Sequence, residues 1–417
     1  MSKWSLYGLI AKRYLFSLRK QTAVSILSKI SMGALVVSTA AMILLFSVFN
    51  GFESLVKNLY ATFYPDIKIT AAQGKFFSYS PQLLQQIQQT KGIQFISTCI
   101  EDNALVSNGE TQIIASVKGI DSHFFKVNNF NKEYIIAGNH QLNSNSNNAL
   151  YPSAIIGNGI ANKLGIDVLN NFSSLELIYP NAKNDLLQVQ DANAFQRQYV
   201  KPDGAFSIQD EFDNAYVLVP LTTAQTLMHQ EEQISSIEIK ISNDVDAAAI
   251  KKTLQQQLGN TYTIATRYEQ NKTLYGIMQS EKWIVFALLT LILVIASFNL
   301  TGALSMLVLE KQTDLSMLRS MGLKGIEIQT IVLLEGLLWS FVGCSLGLLL
   351  GGLIAWGQQQ FGWVKLEGSF IIQSYPVQFV MSDVVLIFVT VLSVGAIASL
   401  IPAIKSSKQT APNQLKS

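Results

Sequence analysis

The sequence predicts an α-helical membrane domain of four transmembrane helices joined to a large α+β domain that lies outside the membrane. Charged residues make up only 14% of the chain, and most of this deficit falls in four long apolar runs. Each run has the roughly 20 residues that a helix needs to cross a bilayer. The runs span residues 30–49, 283–309, 336–357 and 384–404. A polar block rich in Asn and Gln separates the first run from the second.

Lysine and arginine residues predict how the helices are oriented. The segment before the first run, the loop after the second run and the C-terminal tail are basic, whereas the loop between the last two runs has only Lys365. Cytoplasmic loops carry the excess of Lys and Arg, so both termini are expected in the cytoplasm and the large block outside it. The first run starts late for a signal peptide and lacks a small-residue cleavage site, so we interpret it as a retained helix.

Composition and motifs argue against several classes of protein. A net charge of +2 over 417 residues gives no reason to expect nucleic acid as a partner. The two cysteines, Cys99 and Cys344, lie in the polar block and in the third run, so a disulfide between them is implausible. His123, His140 and His229 lack ligand spacing, and no P-loop, zinc-protease motif or nucleophile elbow occurs. We therefore expect no catalytic, cofactor-binding or metal-binding residue in this chain.

The N-terminal part of the chain begins with a segment, residues 1–22, in which aromatic and basic residues alternate at roughly helical spacing. This pattern predicts an amphipathic helix on the cytoplasmic membrane surface. The first transmembrane helix is expected at 23–50 and the outer domain at 51–280.

Both ends of the outer domain have the pattern of strand–helix–strand units, which predicts one α/β part formed by 51–119 and 216–280. The predicted elements are a strand at 66–70, a helix from Pro81 to 89 after Ser80, a strand at 93–99, a strand at 236–241, a helix that Asn243 or Asp244 caps and that ends at 258, and a strand at 261–266. Between 104–106 and 111–117, Asn108-Gly109 predicts a hairpin turn.

The middle of the outer domain, residues 120–215, is predicted to be a β-rich insert. Strands are expected at 154–156, 175–178 and 216–219, and long polar loops at 139–149 and 180–206.

After the outer domain, residues 267–282 have helical spacing and lead directly into the second transmembrane helix. The remaining segments are expected to be this helix at 281–309, a cytoplasmic loop at 310–327, a third helix at 328–357, an outer loop at 358–380, a fourth helix at 381–404 and a cytoplasmic tail at 405–417.

Small and polar residues mark packing positions within these helices. Gly343, Gly347 and Gly351 are spaced by four residues and allow another helix to approach closely, either within one subunit or across a dimer seam. Asn299 and Glu335 are the polar exceptions, and we interpret both as structural.

Three regions of the chain resemble known permease families. Residues 281–357, beginning EKWIVFALLTLILVIASFNLTGALSMLVLEKQTDLSMLRSMG, resemble the FtsX-type permease domain of ABC transporters. Residues 9–69, with IAKRYL and SVFNGFESLVKNLYATFYPDIKI, and residues 212–274, with YVLVPLTTAQTLM, resemble the lipoprotein-releasing permeases of the LolC/LolE type. The resemblance is weakest over 120–205, and the tail has Lys405-Ser406-Ser407 where the family is more Arg/Ala-rich.

The resemblance implies a function and a set of partners. Such chains are non-enzymatic permease subunits in the inner membrane of bacteria, and they extract lipoproteins for transfer toward the outer membrane by mechanotransmission. Their periplasmic domain has a porter-like α/β part and a β-rich insert. They act with two copies of a separate ATPase, which binds the ATP, with a second permease, identical or paralogous, and with a periplasmic lipoprotein chaperone. The alternatives are a MacB-like efflux permease for peptides or other substrates and an FtsX-like regulator of a periplasmic hydrolase.

The resemblance also implies where the functional residues lie. The cytoplasmic loop becomes the segment that couples to the ATPase, through Glu310, Lys311, Asp314, Met317, Arg319, Met321 and Gly322. Leu315, Met317, Leu318 and Met321 would give this segment an apolar stripe. Lipoprotein access is expected beside Met42, Phe46 and Phe49, and Pro180 and Pro202 bracket a candidate hook for the chaperone.

Overall fold

The computed structural model describes residues 23–142, 151–170, 174–181, 194–242, 244–365 and 374–408. The chain divides into two compact units. We call Met1–Leu55 with Gly276–Ser417 the helical unit, and Val56–Tyr275 the sheet unit. The predicted amphipathic helix at 1–22 lies outside the described residues.

The elements are numbered along the chain. The helices are α1 (Ala23–Tyr60), α2 (Pro81–Gln88), α3 (Phe124–Val127), α4 (Asn158–Leu164), α5 (Asp210–Asp213), α6 (Leu221–Leu227), α7 (Ala247–Leu258), α8 (Arg267–Gln270), α9 (Lys272–Glu310), α10 (Gln312–Ser320), α11 (Gly325–Phe361) and α12 (Met381–Lys408). The strands are β1 (Ile67–Ala71), β2 (Phe77–Ser78), β3 (Ile93–Ser107), β4 (Gln112–Ile120), β5 (Ile135–Gly138), β6 (Ser153–Gly157), β7 (Leu175–Pro180), β8 (Phe195–Phe206), β9 (Tyr216–Pro220), β10 (Gln233–Ile234), β11 (Ser236–Ile241) and β12 (Tyr262–Thr266).

The helical unit contains the long apolar helices that the sequence predicts. By length and composition, α1, α9, α11 and α12 can each cross a membrane. Their core is formed by side chains from all four helices, including Met42, Leu293, Trp339 and Val391. The predicted fold class is confirmed in this respect.

The glycine ridge of α11 packs against α1 of the same chain. A Cβ atom at Gly347 would lie 2.6 Å from the Cβ atom of Thr39, and one at Gly351 would lie 2.7 Å from the carbonyl oxygen of Ala40. A side chain at Gly343 would meet Leu35, also on α1. Of the two packing alternatives, the structure places these glycines within one subunit.

Adjacent glycines on α11 provide a matched test of this packing. Gly351→Ala should lower the thermal unfolding midpoint of the full-length protein in detergent, because overpacking costs about 1–3 kcal/mol. Gly352→Ala should be neutral or stabilising, because nothing lies within 4 Å of its added Cβ atom and Ala favours a helix over Gly. Equal shifts for the two variants would contradict close packing at Gly351.

The sheet unit is built on one mixed sheet. Its strand order is β12-β1-β11-β3-β4-β9-β6-β8-β5, with β7 pairing to β3 and β8. The pairs β4–β9 and β6–β8 are parallel, and the other pairs of this sheet are antiparallel. The predicted α/β part and the predicted insert therefore share this sheet.

The predicted strand–helix–strand units form one end of this sheet. Strands β12, β1, β11 and β3 pair in that order, and their alternating apolar residues pack with α2 and α7 around Ile69, Ile87, Ile239 and Leu254. Helix α2 begins at Pro81 as predicted, and Ser80 caps it, its Oγ accepting a hydrogen bond from the Leu83 amide at 3.2 Å.

The cap of α7 differs from the prediction. The Asp246 carboxylate accepts a hydrogen bond from the Ala248 amide at 3.2 Å, so the cap is Asp246 and not Asp244, which lies before the helix begins. Asn243, the other predicted cap, lies outside the described residues.

Strand β3 is also longer than predicted. The sequence predicts two short strands, at 93–99 and 104–106, but the structure has one continuous strand. The polar residues between the two predicted strands are accommodated because they have hydrogen-bond partners. The Asp102 carboxylate accepts hydrogen bonds from Lys75 Nζ and Tyr179 Oη, both at 2.7 Å. The Asn108-Gly109 turn that follows is confirmed, with Gly109 at φ +89°.

Two further predictions of local structure are wrong. Residues 195–206, expected in a polar loop, form β8, which pairs with β6 and β7. The segment 267–282 is not one continuous helix, because α8 and α9 are separated at Asn271. Thr266 and Glu269 form a capping box that fixes α8 as a separate turn.

Candidate functional site

The segment that the resemblance assigns to ATPase coupling folds as a short helix after the second membrane helix. α9 ends at Glu310, and the Lys311 ammonium lies 3.4 Å from the Asp314 carboxylate at the start of α10. The chain leaves α10 through Met321 and Gly322, whose φ of +100° is a conformation that favours glycine. The segment is therefore a defined helix with a glycine turn after it.

Apolar side chains lie on two sides of α10. Leu315 is buried in a cluster with Val308 and Ile328, and Leu318 packs against the same cluster. Met317 and Met321, one turn apart, are 58% and 80% exposed. We call this pair the methionine face. The four-residue stripe expected from the sequence is thus divided between an inner anchor and an outer surface.

The methionine face suits a protein partner. Methionine side chains are flexible and polarizable, which makes them common at binding surfaces. Residues spaced by four lie side by side on a helix, so Met317 and Met321 present one continuous apolar contact. Arg319 is also exposed in this segment, but at two residues from each methionine it does not share their side of the helix.

The residues expected at the lipoprotein access site lie inside the helical unit. Met42 and Phe46 are buried, and Phe49 is half-buried. The ring of Phe46 meets Phe286 of α9 edge-on, with 5.9 Å between the ring centroids. Contact between the Phe46 ring and a lipid therefore requires α1 and α9 to separate.

The residues of the candidate hook lie on the hairpin of β7 and β8. Pro180 pairs with Phe195 at the end of the β7–β8 ladder, and residues 182–193 lie outside the described part of the chain. Pro202 lies further along β8, opposite Ala154, where the register between β6 and β8 shifts. A proline lacks an N–H donor and is tolerated at such irregularities. The two prolines thus do not lie together at the hairpin tip.

A buried ionic network crosses the centre of the sheet unit. Lys118 Nζ lies 2.7 Å from the Glu238 carboxylate and 3.8 Å from that of Glu101. The other oxygen of Glu238 accepts a hydrogen bond from Asn128 Nδ2 at 2.8 Å. Lys118 and Glu238 are 3% and 0% exposed, so each charge depends on its partner.

Burial and charge act in opposite directions on the pKa values of this network. Burial alone would raise the pKa of Glu101, but the charge of Lys118 and hydrogen bonds from Tyr216 and Ser116 keep it below its ordinary value. Burial would lower the pKa of Lys118, but Glu238 and Glu101 raise it above the usual lysine range. Glu101 and Lys118 are therefore charged at neutral pH, and this network is a structural element of the sheet unit.

Sequence reasoning missed this network. A signal was present, because Lys118 and Glu238 each interrupt an apolar strand, in SVKGI and SIEIKI. Such an isolated charge in an otherwise buried strand points to a paired partner. Within the described residues, no group of three or more His, Cys, Asp or Glu side chains is placed to hold a metal ion.

Comparison with known proteins shows the family. Residues 28–257 match the MacB-like periplasmic core domain, and residues 286–411 match the FtsX-like permease C-terminal domain. The chain is 24% identical to the lipoprotein-releasing system transmembrane protein LolE of Haemophilus influenzae, with 96% of each chain covered. It is also 24% identical to LolC of Neisseria meningitidis serogroup B, with 97% of each covered.

Among solved structures, the periplasmic region of MacB from Actinobacillus actinomycetemcomitans is similar, with 13% identity, a TM-score of 0.34, and coverage of 53% of this chain and 98% of that one. The resemblance stated from the sequence is confirmed by the two family matches, of which the first extends over more than half of the chain. The chain therefore belongs to the permeases that have a MacB-like periplasmic core domain, and its C-terminal part is an FtsX-like permease region.

Proposed function

We propose that this chain is the transmembrane permease subunit of an ABC transporter that extracts lipoproteins from the inner membrane and passes them toward the outer membrane by mechanotransmission. The observation that carries this proposal is the similarity to LolE and LolC over nearly the whole length of both chains. The similarity includes the sheet unit as well as the four long helices, so it supports lipoprotein release over a function of the permease region alone.

The energy for transport comes from a separate subunit in this proposal. Two copies of an ABC ATPase bind the ATP, and the methionine face docks on one of them. The anchored side of α10, with Leu315 buried, would pass movement of the ATPase to α9 and α11. A second permease, identical or paralogous, completes the transporter. LolE and LolC relatives are equally similar to this chain at 24% identity, which favours neither pairing.

The proposed location is the bacterial inner membrane, with both termini and α10 in the cytoplasm and the sheet unit in the periplasm. The distribution of Lys and Arg supports this orientation. The lipoprotein would enter between α1 and α9, where Met42, Phe46 and Phe49 become its apolar contacts once these helices part.

Energetics support a periplasmic chaperone as the acceptor. Moving acyl chains from a bilayer into water forfeits about 0.8 kcal/mol per CH₂ group, on the order of tens of kcal/mol for several chains. A second apolar pocket must therefore receive them. The hairpin of β7 and β8 is the proposed docking element for the chaperone. Phe195, Arg197 and Tyr199 are exposed at alternating positions of β8, which places them on one face.

Depletion of this chain in cells tests the proposal. Newly made lipoproteins should accumulate in the inner membrane fraction, and a copy of the chain supplied in trans should restore their release. Loss of drug or peptide resistance with normal lipoprotein sorting would support the efflux alternative instead. Abnormal cell-wall cleavage with normal sorting would support a regulator of a hydrolase. Either result would overturn the proposal.

A further inference from the structure

Three polar side chains from three membrane helices meet at one end of the helical unit. They are Asn50 of α1, Lys282 of α9 and Asp383 of α12. Lys282 Nζ donates hydrogen bonds to Asn50 Oδ1 and to Asp383 Oδ2, each at 2.9 Å. Asn50 Nδ2 donates to the same oxygen of Asp383 at 2.7 Å. We call this group the polar clasp.

The polar clasp lies at the border of the apolar runs. Lys282 directly precedes the apolar run of α9, Asp383 directly precedes that of α12, and Asn50 directly follows that of α1. Asn50 and Asp383 are each 6% exposed, and the Lys282 side chain is 26% exposed. Because the carboxylate and the amide are removed from water, their bonds to Lys282 are stronger than those of an exposed ion pair.

A second set of contacts fixes α1 at the same level. The backbone N–H of Gln378 donates to the carbonyl oxygen of Ser47 at 2.9 Å. A Cβ atom at Gly51 would lie 2.6 Å from the backbone nitrogen of Val377, so the chain before α12 passes directly against α1. The end of α1 is therefore held by backbone packing on one side and by the polar clasp on the other.

The polar clasp lies beside the closed seam between α1 and α9. Lys282 Nζ is 5.3 Å from the centroid of the Phe46 ring, close enough for a cation–π contact. Phe46 is one helical turn from Asn50, and Phe286, which it meets edge-on, is one turn from Lys282. Parting α1 from α9 at this level would break the bond between Lys282 and Asn50.

We propose that Lys282 is a positioning residue for cargo access. Through Asn50 and Asp383 it holds α1 against α9 and α12, and it keeps the seam between Phe46 of α1 and Phe286 of α9 closed until cargo separates the helices. This inference rests on the proposed function for the identity of the cargo, which is an acylated protein. The positioning of α1 against α9 and α12 by Lys282 does not depend on which cargo the chain carries.

Spin-label distances in the full-length chain, reconstituted in lipid nanodiscs, test the proposal. Labels are placed at Leu45→Cys on α1 and Leu288→Cys on α9, which are 37% and 56% exposed. The native cysteines, Cys99 and Cys344, are buried. Lys282→Met should shift the distance distribution to longer values and broaden it, whereas Lys282→Arg should retain the wild-type distribution. An unchanged distribution in Lys282→Met would overturn the proposal.

Two additional variants separate positioning from general damage. Lys251→Met removes a lysine from an ion pair in the sheet unit, with Glu269 at 2.5 Å, and should leave the distances unchanged.

The exchange Lys282→Asp with Asp383→Lys restores a paired charge across α9 and α12 and should return the distances toward wild type, even where Lys282→Met fails to fold. A folded exchange variant with an open seam would overturn the proposal. The distances are measured without lipoprotein, so a failure of the proposed function alone would leave them unaffected.

Discussion

Met317→Asp should abolish the ATPase activity that the permease stimulates in the assembled transporter. Met317 is 58% exposed on α10, beside Met321, while Leu315 anchors the other side of the helix. Docking would remove water from the new carboxylate without providing a partner for it. Loss of the apolar contact that Met317 makes at the centre of such an interface costs about 2 kcal/mol or more. Docking should weaken by about thirtyfold or more, since each 1.4 kcal/mol is a factor of about 10. The measurement is ATP hydrolysis by the reconstituted complex with and without lipoprotein.

Met317→Leu is the matched control for this substitution. It retains an apolar side chain of similar volume and should keep at least half of the stimulated activity. Because Met317 is outside the buried cluster of Val308, Leu315 and Ile328, neither variant should change the thermal stability of the permease. Stimulated activity in Met317→Asp equal to that of the unchanged protein would rule out the methionine face as the docking surface.

Lys118→Met should strongly destabilise the sheet unit. The substitution leaves Glu238, which is 0% exposed, without its ammonium partner, and removal of one member of a buried ion pair costs about 3–5 kcal/mol. The expected result is faster amide hydrogen exchange in β3, β4 and β11 of the full-length protein in detergent. These strands are adjacent in the sheet, and they carry Glu101, Lys118 and Glu238.

The ion pair of Lys75 and Asp102 provides the control. The Lys75 side chain is 70% exposed, and without it Asp102 still accepts the hydrogen bond from Tyr179 Oη, so Lys75→Met should change exchange little. The double variant Lys118→Met with Glu238→Leu should recover much of the lost stability, because it removes both buried charges. Equal exchange rates in Lys118→Met and Lys75→Met would show that the network does not stabilise the sheet.

Local patterns predicted the parts of the fold in which one segment determines its own structure. The apolar runs predicted the membrane helices by length, and the alternation of apolar and polar residues predicted β1, β11 and β12. Ser80-Pro81 predicted the start of α2, since both residues act through neighbouring backbone groups. Strand β3 was predicted as two pieces because the partners of Asp102, such as Tyr179, come from distant segments.

The polar clasp, the two sides of α10 and the packing of the glycines depend on contacts between segments that are distant in sequence. Asn50 and Asp383 are separated by 333 residues, and nothing in either segment identifies the other. The apolar residues of α10 were visible, but a short helix with apolar positions on both sides does not show which side faces its own chain. Likewise, the spacing of Gly343, Gly347 and Gly351 predicted close approach of a helix without identifying α1 as that helix.

Cysteine labelling of intact and permeabilised spheroplasts most directly tests the proposed orientation of the chain in the membrane. Ile114→Cys reports on the sheet unit, where Ile114 is 75% exposed, and Lys405→Cys reports on the exposed end of α12. A membrane-impermeant maleimide should label Ile114→Cys in intact spheroplasts and Lys405→Cys only after permeabilisation. Labelling of Lys405→Cys in intact spheroplasts, with Ile114→Cys protected until permeabilisation, would place the sheet unit in the cytoplasm and contradict lipoprotein release by this chain.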